Sequence, residues 1–359
     1  MDEIELQAGH DFHAKLLQLL PPSVAEVKVE EFAGVRVKSS AISGPRSCIT
    51  ACSRYVIQSQ GNYKPGFQTS FEENGARLAF GTTASMADTA SAVAQWLQGV
   101  HLDKLYDQFG FIDKSKRYLT GLREAVRSEI PCLEDSVQVE LKEDRGVWFG
   151  LRFQAANRSV NVEGYLKIAR FFWDQCVMFQ FEVRNPVEFA SVLNRWLCEN
   201  ALPSSMRNHF PWLEIGRLAD FYEAGNPIEG EFLQSWDETE AWVNGPYFAK
   251  GTPVPRLIAE LRTAGYDRKL RVGMNHGRGP IFSRSRRPVL RDDQADILVD
   301  CLPGEEFMDM WVTLPEQSRG TDTSEGNKAS AAKKITGVPA ALSGQFAEAI
   351  DQLCEAEID

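Results

Sequence analysis

Two segments of this chain answer one another at a fixed distance, and that offset restricts its possible folds more than any single motif. "SAVAQWLQG", starting at Ser91, is matched by "SVLNRWLCE", starting at Ser191, so Trp96-Leu97 and Trp196-Leu197 lie one hundred positions apart. Phe109 and Phe111 in "DQFGFID" are matched by Phe210 and Trp212 in "NHFPWLE", and upstream the alternating "ARLAFGT" is matched by "CVMFQFEV". Self-similarity at a fixed spacing marks a repeated supersecondary unit. Each copy reads strand, helix, aromatic-bearing turn.

The segments before each helix alternate polar and apolar residues, the pattern of a strand with one face on a core and one toward water. In the first copy these are "VKVEEF", "GVRVKSSAI", "CITACSRYVIQ", "FQTSFEE" and "ARLAFGT"; in the second, "SVQVELKE", "VWFGLRF", "VNVEGYLKI" and "CVMFQFEV". Short strands joined by tight turns predict antiparallel meanders. The helices start at Thr83 and at Asn185, where Pro186 suits the first turn and Val187, Ala190, Leu193, Trp196 and Leu197 form an apolar stripe. Helix on sheet follows, an α+β class of tandem antiparallel sheets covered by helices, with an internal repeat of about 100 residues.

Beyond residue 228 the helix-like segments "EFLQSWDETEAWV" and "VPRLIAELRTAGY" come first, and the strands "KLRVGM", "IFSRSR", "ADILVDCL" and "FMDMWVTL" come after. The predicted organisation is a first α+β unit with an N-terminal helix (1–130), a second α+β unit (131–228) and a helix-then-sheet unit (229–315). A flexible linker (316–337), read from its lack of apolar periodicity, and a C-terminal amphipathic helix (338–359) complete it.

Charge supplies the one conspicuous cluster. The net charge is −11, yet residues 268–291 hold seven arginines, one lysine and no acid, so the rest of the chain carries about −19. Within "RKLRVGMNHGRGPIFSRSRRPVLR", Gly277 and Gly279 suit a turn, and a strand through Phe282 would place Arg284 and Arg286 on one face. Arg271, Arg278, Arg284, Arg286 and Arg287 are therefore the candidate residues for an anionic ligand or an acidic element of a partner. The stretch lacks the GK[ST] ending of a phosphate-binding loop, and its arginines could equally face solvent and pair with nearby acids.

Other candidates point to structure. Cys48 and Cys52 share a face of a strand and read as core, His10 and His13 as an exposed amphipathic helix, and the acids Asp237, Glu238 and Glu240 as a solvated helix face. No zinc pattern or nucleophile signature completes itself, so neither metal nor cofactor is expected. Seven scattered cysteines, an acidic amino terminus and no eighteen-residue apolar run predict a cytoplasmic protein without a membrane partner. The overall acidity disfavours nucleic acid and suits a basic protein partner.

Trp96-Leu97-x-Gly99 with Leu102, Leu105 and Phe109 to Ile112, followed later by "FYEAGNPIEGEFLQSWDE", "LIAELRTAGYDRKLRVG" and "IFSRS", resembles an uncharacterised bacterial family labelled natural-product-biosynthesis protein. The resemblance touches about half of the chain and implies a bacterial source, but it implies no reaction and no catalytic residues. The sequence thus predicts a non-catalytic protein-binding protein of bacterial immunity or adaptor type. The alternative is an enzyme or small-molecule binder that holds an anionic ligand at the arginine-rich hairpin 268–291.

Overall fold

The computed structural model describes residues 3–20, 26–32, 36–53, 66–144, 148–246, 248, 251–275, 279–286, 294–313 and 333–358. The chain divides into two compact units, Met1–Ala201 with Ser205–Glu214, and Leu202–Ser204 with Ile215–Asp359.

In the first unit, α1 (Glu3–Leu19) precedes β1 (Glu26–Phe32), β2 (Arg36–Ser43), β3 (Arg46–Ser53), β4 (Gly66–Glu73) and β5 (Ala76–Thr83), and α2 (Met86–Leu97) follows. The five strands pair antiparallel in sequence order. Alternation decides which residues meet: Cys48 lies opposite Phe71, Thr50 opposite Thr69 and Cys52 opposite Phe67. All six are buried, and the four apolar ones share a core with Phe12 and Leu16 of α1 and Val93, Trp96 and Leu97 of α2. The threonine hydroxyls satisfy each other at 3.0 Å. Cys48 and Cys52 are thus core residues, as their alternation indicates.

After α3 (Leu102–Gln108), the same order returns. Helices α4 (Ser115–Glu129) and α5 (Leu133–Ser136) precede β6 (Gln138–Asp144), β7 (Trp148–Ala155), β8 (Arg158–Glu163), β9 (Ile168–Trp173) and β10 (Cys176–Glu182), again an antiparallel meander. Helix α6 (Pro186–Leu193) closes it and continues into a π-helical turn, Asn194–Cys198, before α7 (Pro203–His209). Helix α4 packs on α6 and β7.

Aromatic contacts can be compared at the two ends of the hundred-residue offset. Trp96 meets Phe71 edge-on at 6.2 Å, and Trp196 meets Phe171 edge-on at 6.4 Å. Phe109 and Phe111 lie 6.1 Å apart, as do Phe210 and Trp212. The cap of α6 is Asn185, accepting from the Val187 amide at 3.0 Å. That of α2 is Ser85, which accepts from the Asp88 amide, while Thr83 accepts from the amide of Ser85. The start expected at Thr83 is displaced because its side chain supports the capping residue and does not cap the helix itself.

The second unit holds α8 (Leu218–Glu223), α9 (Pro227–Val243), α10 (Val254–Thr263), a third five-stranded antiparallel meander and α11 (Gly344–Cys354). Its strands are β11 (Arg271–Asn275), β12 (Gly279–Ser283), β13 (Asp296–Asp300), β14 (Phe307–Thr313) and β15 (Lys333–Pro339). Strand β15 begins inside the segment expected as linker and pairs with β14; residues 314–332 lie outside the described residues. The C-terminal helix packs on its own unit, placing Phe346, Ile350 and Leu353 in a core with Trp236 and Phe282.

Candidate binding groove

The arginine cluster is the place to begin, because it dominates the charge pattern. Strand β12 ends at Ser283, so Phe282 enters the core fully buried while Arg284 and Arg286 leave the strand and are freed from its face. A guanidinium in that core would have no partner to offset its desolvation. Arg271 donates through Nε to the Ser285 carbonyl at 3.0 Å and through Nη2 to that of Arg286 at 2.8 Å. Arg284 donates to the carbonyls of Cys354 at 2.5 Å and Ala356 at 2.6 Å. Arg286 forks onto Glu231 at 2.7 and 3.2 Å; that carboxylate is 1 % exposed and also accepts from the Tyr222 hydroxyl at 2.6 Å. The hydrogen bond with Glu231 raises the Arg286 pKa above its ordinary value. The three arginines therefore reach separate acceptors. Arg278, Arg287 and Gly277 lie outside the described residues.

Gly279 differs from its expected role as well. It sits in β12, and a Cβ there would lie 2.0 Å from the Val299 carbonyl oxygen. Close backbone approach, and not turn freedom, requires glycine at that position.

Arg284 belongs to a pattern that sequence reasoning missed. One arginine of each meander region reaches the carbonyl end of the helix that follows. Arg46 donates to the carbonyls of Trp96 at 3.1 Å and Val100 at 2.8 Å, and Arg158 to those of Trp196 at 3.1 Å and Ala201 at 2.7 Å. A cation satisfies orphan carbonyls and complements the negative end of the helix dipole. The guanidinium carbon stands 4.1 Å from the indole of Trp96 in one case and of Trp196 in the other. All three arginines precede a serine, at Ser47, Ser159 and Ser285. That shared dipeptide was the available signal.

The remaining cluster candidates also resolve into structure. Asp237 and Glu240 both pair with Arg262. Cys301 is buried, and burial pushes its thiol up to about 12. His10 and His13 lie on α1; among the described residues no group of three or more metal-ligating side chains forms. No helix among them is long and apolar enough to cross a membrane.

Cavities wide enough to receive side chains are present in both units. One of about 400 Å³ lies in the second unit between α9 and strands β11 and β12, bordered by Glu238, Trp242, Arg271, Gly273 and Ile281. Its arginine is the one already engaged by two carbonyls. The larger, about 570 Å³, lies in the first unit between α4, the β8–β9 turn and the start of α6. Its walls include Lys114, Tyr118, Leu122, Lys167 and Pro186.

Sequence builds this groove locally. Asp113 accepts from the Ser115 amide at 2.8 Å and its hydroxyl at 2.6 Å, which fixes the first turn of α4. Gly164 lets the β8–β9 turn seat on that helix, since a Cβ there would lie 2.6 Å from Ser115 Cβ. The turn then projects Tyr165, 71 % exposed, and Leu166, 46 % exposed, beside the cavity. Val187, next to Pro186, is 54 % exposed. The Tyr118 hydroxyl donates to the Val183 carbonyl at 3.3 Å, and burial first, then Glu182, pushes its pKa up to about 12, so it remains a neutral phenol. Lys167 lies over that ring at 5.3 Å.

Gly121 completes the wall from the middle of α4. A glycine there costs about 1 kcal/mol relative to alanine, yet nothing lies within 4 Å of the position a Cβ would take.

No family model, curated protein or solved structure matches this chain.

Proposed function

We propose that this chain is a non-catalytic protein-binding protein of adaptor or immunity type, with three helix–meander–helix modules as its scaffold. One observation carries the reading: the 570 Å³ groove of the first unit has Tyr165 in its wall, and Leu166 and Val187, exposed, adjoin its lining residues Lys167 and Pro186 along the chain. Large apolar side chains left in water around a concave surface are characteristic of sites that another macromolecule covers. Among the described residues, the groove holds no His, Cys or pair of carboxylates, and its one carboxylate, Asp113, already accepts two hydrogen bonds from Ser115 at the start of α4. Tyr165 offers a rigid amphipathic contact of the kind enriched at interaction hot spots.

The anionic-ligand alternative draws less support. Arg271, Arg284 and Arg286 reach three separate sets of internal acceptors, so a ligand would have to displace bonds that hold the unit together.

Affinity capture tests the reading. The full chain, immobilised, should retain a defined protein from lysate of its native host, and the double variant Tyr165→Glu, Val187→Glu should lose it while keeping its circular dichroism spectrum. Equal retention by both proteins, or no protein retained above a blank matrix, would overturn it.

A further inference from the structure

The groove also carries a charge pattern that runs against the rest of the molecule. On a chain of net charge −11, the fixed charges at its rim are Lys114, Arg117, Lys167 and Asp113. Arg117 pairs with Asp103 at 3.1 Å, and Asp113 is held by Ser115. Glu182, close by, pairs with Arg184 at 2.7 Å. Lys114 and Lys167 pair with no acid among the described residues, so the unneutralised charge among the lining residues is positive, with Glu188 of the first turn of α6 as the nearest unpaired acid along the chain from Pro186.

Gly121 is the second, independent observation. Its φ is not positive, so the backbone does not demand glycine, and no neighbour within the fold would touch a Cβ. Neither packing nor conformation explains the residue. What it does is leave the helix wall beside Leu122 and Tyr118 bare, which opens room for a side chain from outside.

We propose that the groove takes an acidic segment of a partner protein, with one apolar side chain seated over Gly121 and carboxylates reaching Lys114 and Lys167. This rests on the protein-binding reading above and makes it specific. The expectation of a basic partner came from the chain's total charge; the groove selects by local charge, and locally the sign is reversed. Apolar insertion supplies most of the attraction, whereas the two lysines, exposed and screened by salt, orient the segment and exclude basic competitors.

The test uses the full chain and an array of twelve-residue peptides that differ in net charge and in one central residue, Leu, Phe or Ala. Acidic peptides with a central Leu or Phe should be retained, and basic or Ala-centred ones should not. Affinity for the best peptide should fall at least about tenfold when Lys114 and Lys167 are both changed to Glu, and should weaken between about 0.05 and 0.5 M salt. Gly121→Ala should melt higher than the parent, because alanine favours the helix, and still bind more weakly; Gly121→Leu should abolish retention. A variant that is more stable yet binds worse separates groove filling from misfolding. Binding indifferent to Gly121→Leu, or to peptide charge, would overturn the proposal, as would a chain that retains no peptide. Saturable binding of decanoate without any peptide would also overturn it, in favour of a small amphiphile. Captured host protein lost on Tyr165→Glu, Val187→Glu, together with no peptide retention, would leave the protein-binding reading standing and sink only this one.

Discussion

Arg158 and Arg46 make the same two carbonyl contacts, but their surroundings differ at one strand position. Arg46 lies opposite Glu73 and pairs with it at 3.0 Å; Arg158 lies opposite Trp173, whose indole stands 4.2 Å from the guanidinium carbon. The second arginine is therefore sandwiched by Trp173 and Trp196, 2 % exposed, with no carboxylate paired to it among the described residues. Burial lowers its pKa to about 10. A flat guanidinium can stack and donate along its edge, and an ammonium can do neither as well. Arg158→Lys should thus cost about 2 kcal/mol, as for loss of a buried charged hydrogen bond, and Arg46→Lys clearly less. Urea denaturation of both variants checks the order. Three phenols provide a second prediction. Tyr106 and Tyr118 by burial, and Tyr266 chiefly through its bond to Asp351, have pKa values raised to about 12 from an ordinary 10. A raised acid pKa means that the unfolded chain loses the proton first, so the contribution to stability is whole below about pH 10 and is lost as pH rises toward 12. Absorbance at the phenolate band should show these rings titrating late, and Tyr266→Phe should remove one of them.

Elements reveal what alternation and spacing can convey. Most strands of both early meanders, the helix at Pro186 and the burial of Trp96 and Trp196 were legible because each depends on a local period, whereas "VNVEGYLKI", expected as one strand, spans the end of β8, the turn at residues 164–167 and the start of β9, so the fifth strand of that meander was missed. The positions of Arg46, Arg158 and Arg284 were not, because a charge in a strand looks the same whether it meets water or the end of a helix distant in sequence. The groove was equally hidden: Gly121, Gly164 and Pro186 acquire meaning only when α4, the β8–β9 turn and α6 converge. The arginine cluster misled for the opposite reason, since high local charge says nothing about whether each group already has its own acceptor. Two element-scale outcomes follow. Trp196→Ala should destabilise by about 3 to 5 kcal/mol, the range for truncating a buried aromatic. Gly279→Ala should cost at least about 2 kcal/mol, because two backbones must separate to admit one methyl group. Thermal melts of each variant give the comparison.

At the scale of the whole molecule, among the described residues the core around Trp236, Phe282 and Phe346 draws on the second unit and the core around Trp96 on the first module. A fragment of residues 215–359 should therefore fold alone, with dispersed amide signals and a cooperative melt; a fragment lacking both would show that its stability depends on the remainder of the chain. Each module also encloses one indole almost completely: Trp96 is 1 % exposed, and Trp196 and Trp236 are at 0 %. The chain thus carries an intrinsic fluorophore at each of its three structural centres. With the other tryptophans replaced by phenylalanine, emission from a single one would report the loosening of its own module, so the order in which the three come apart could be read optically without attaching a dye.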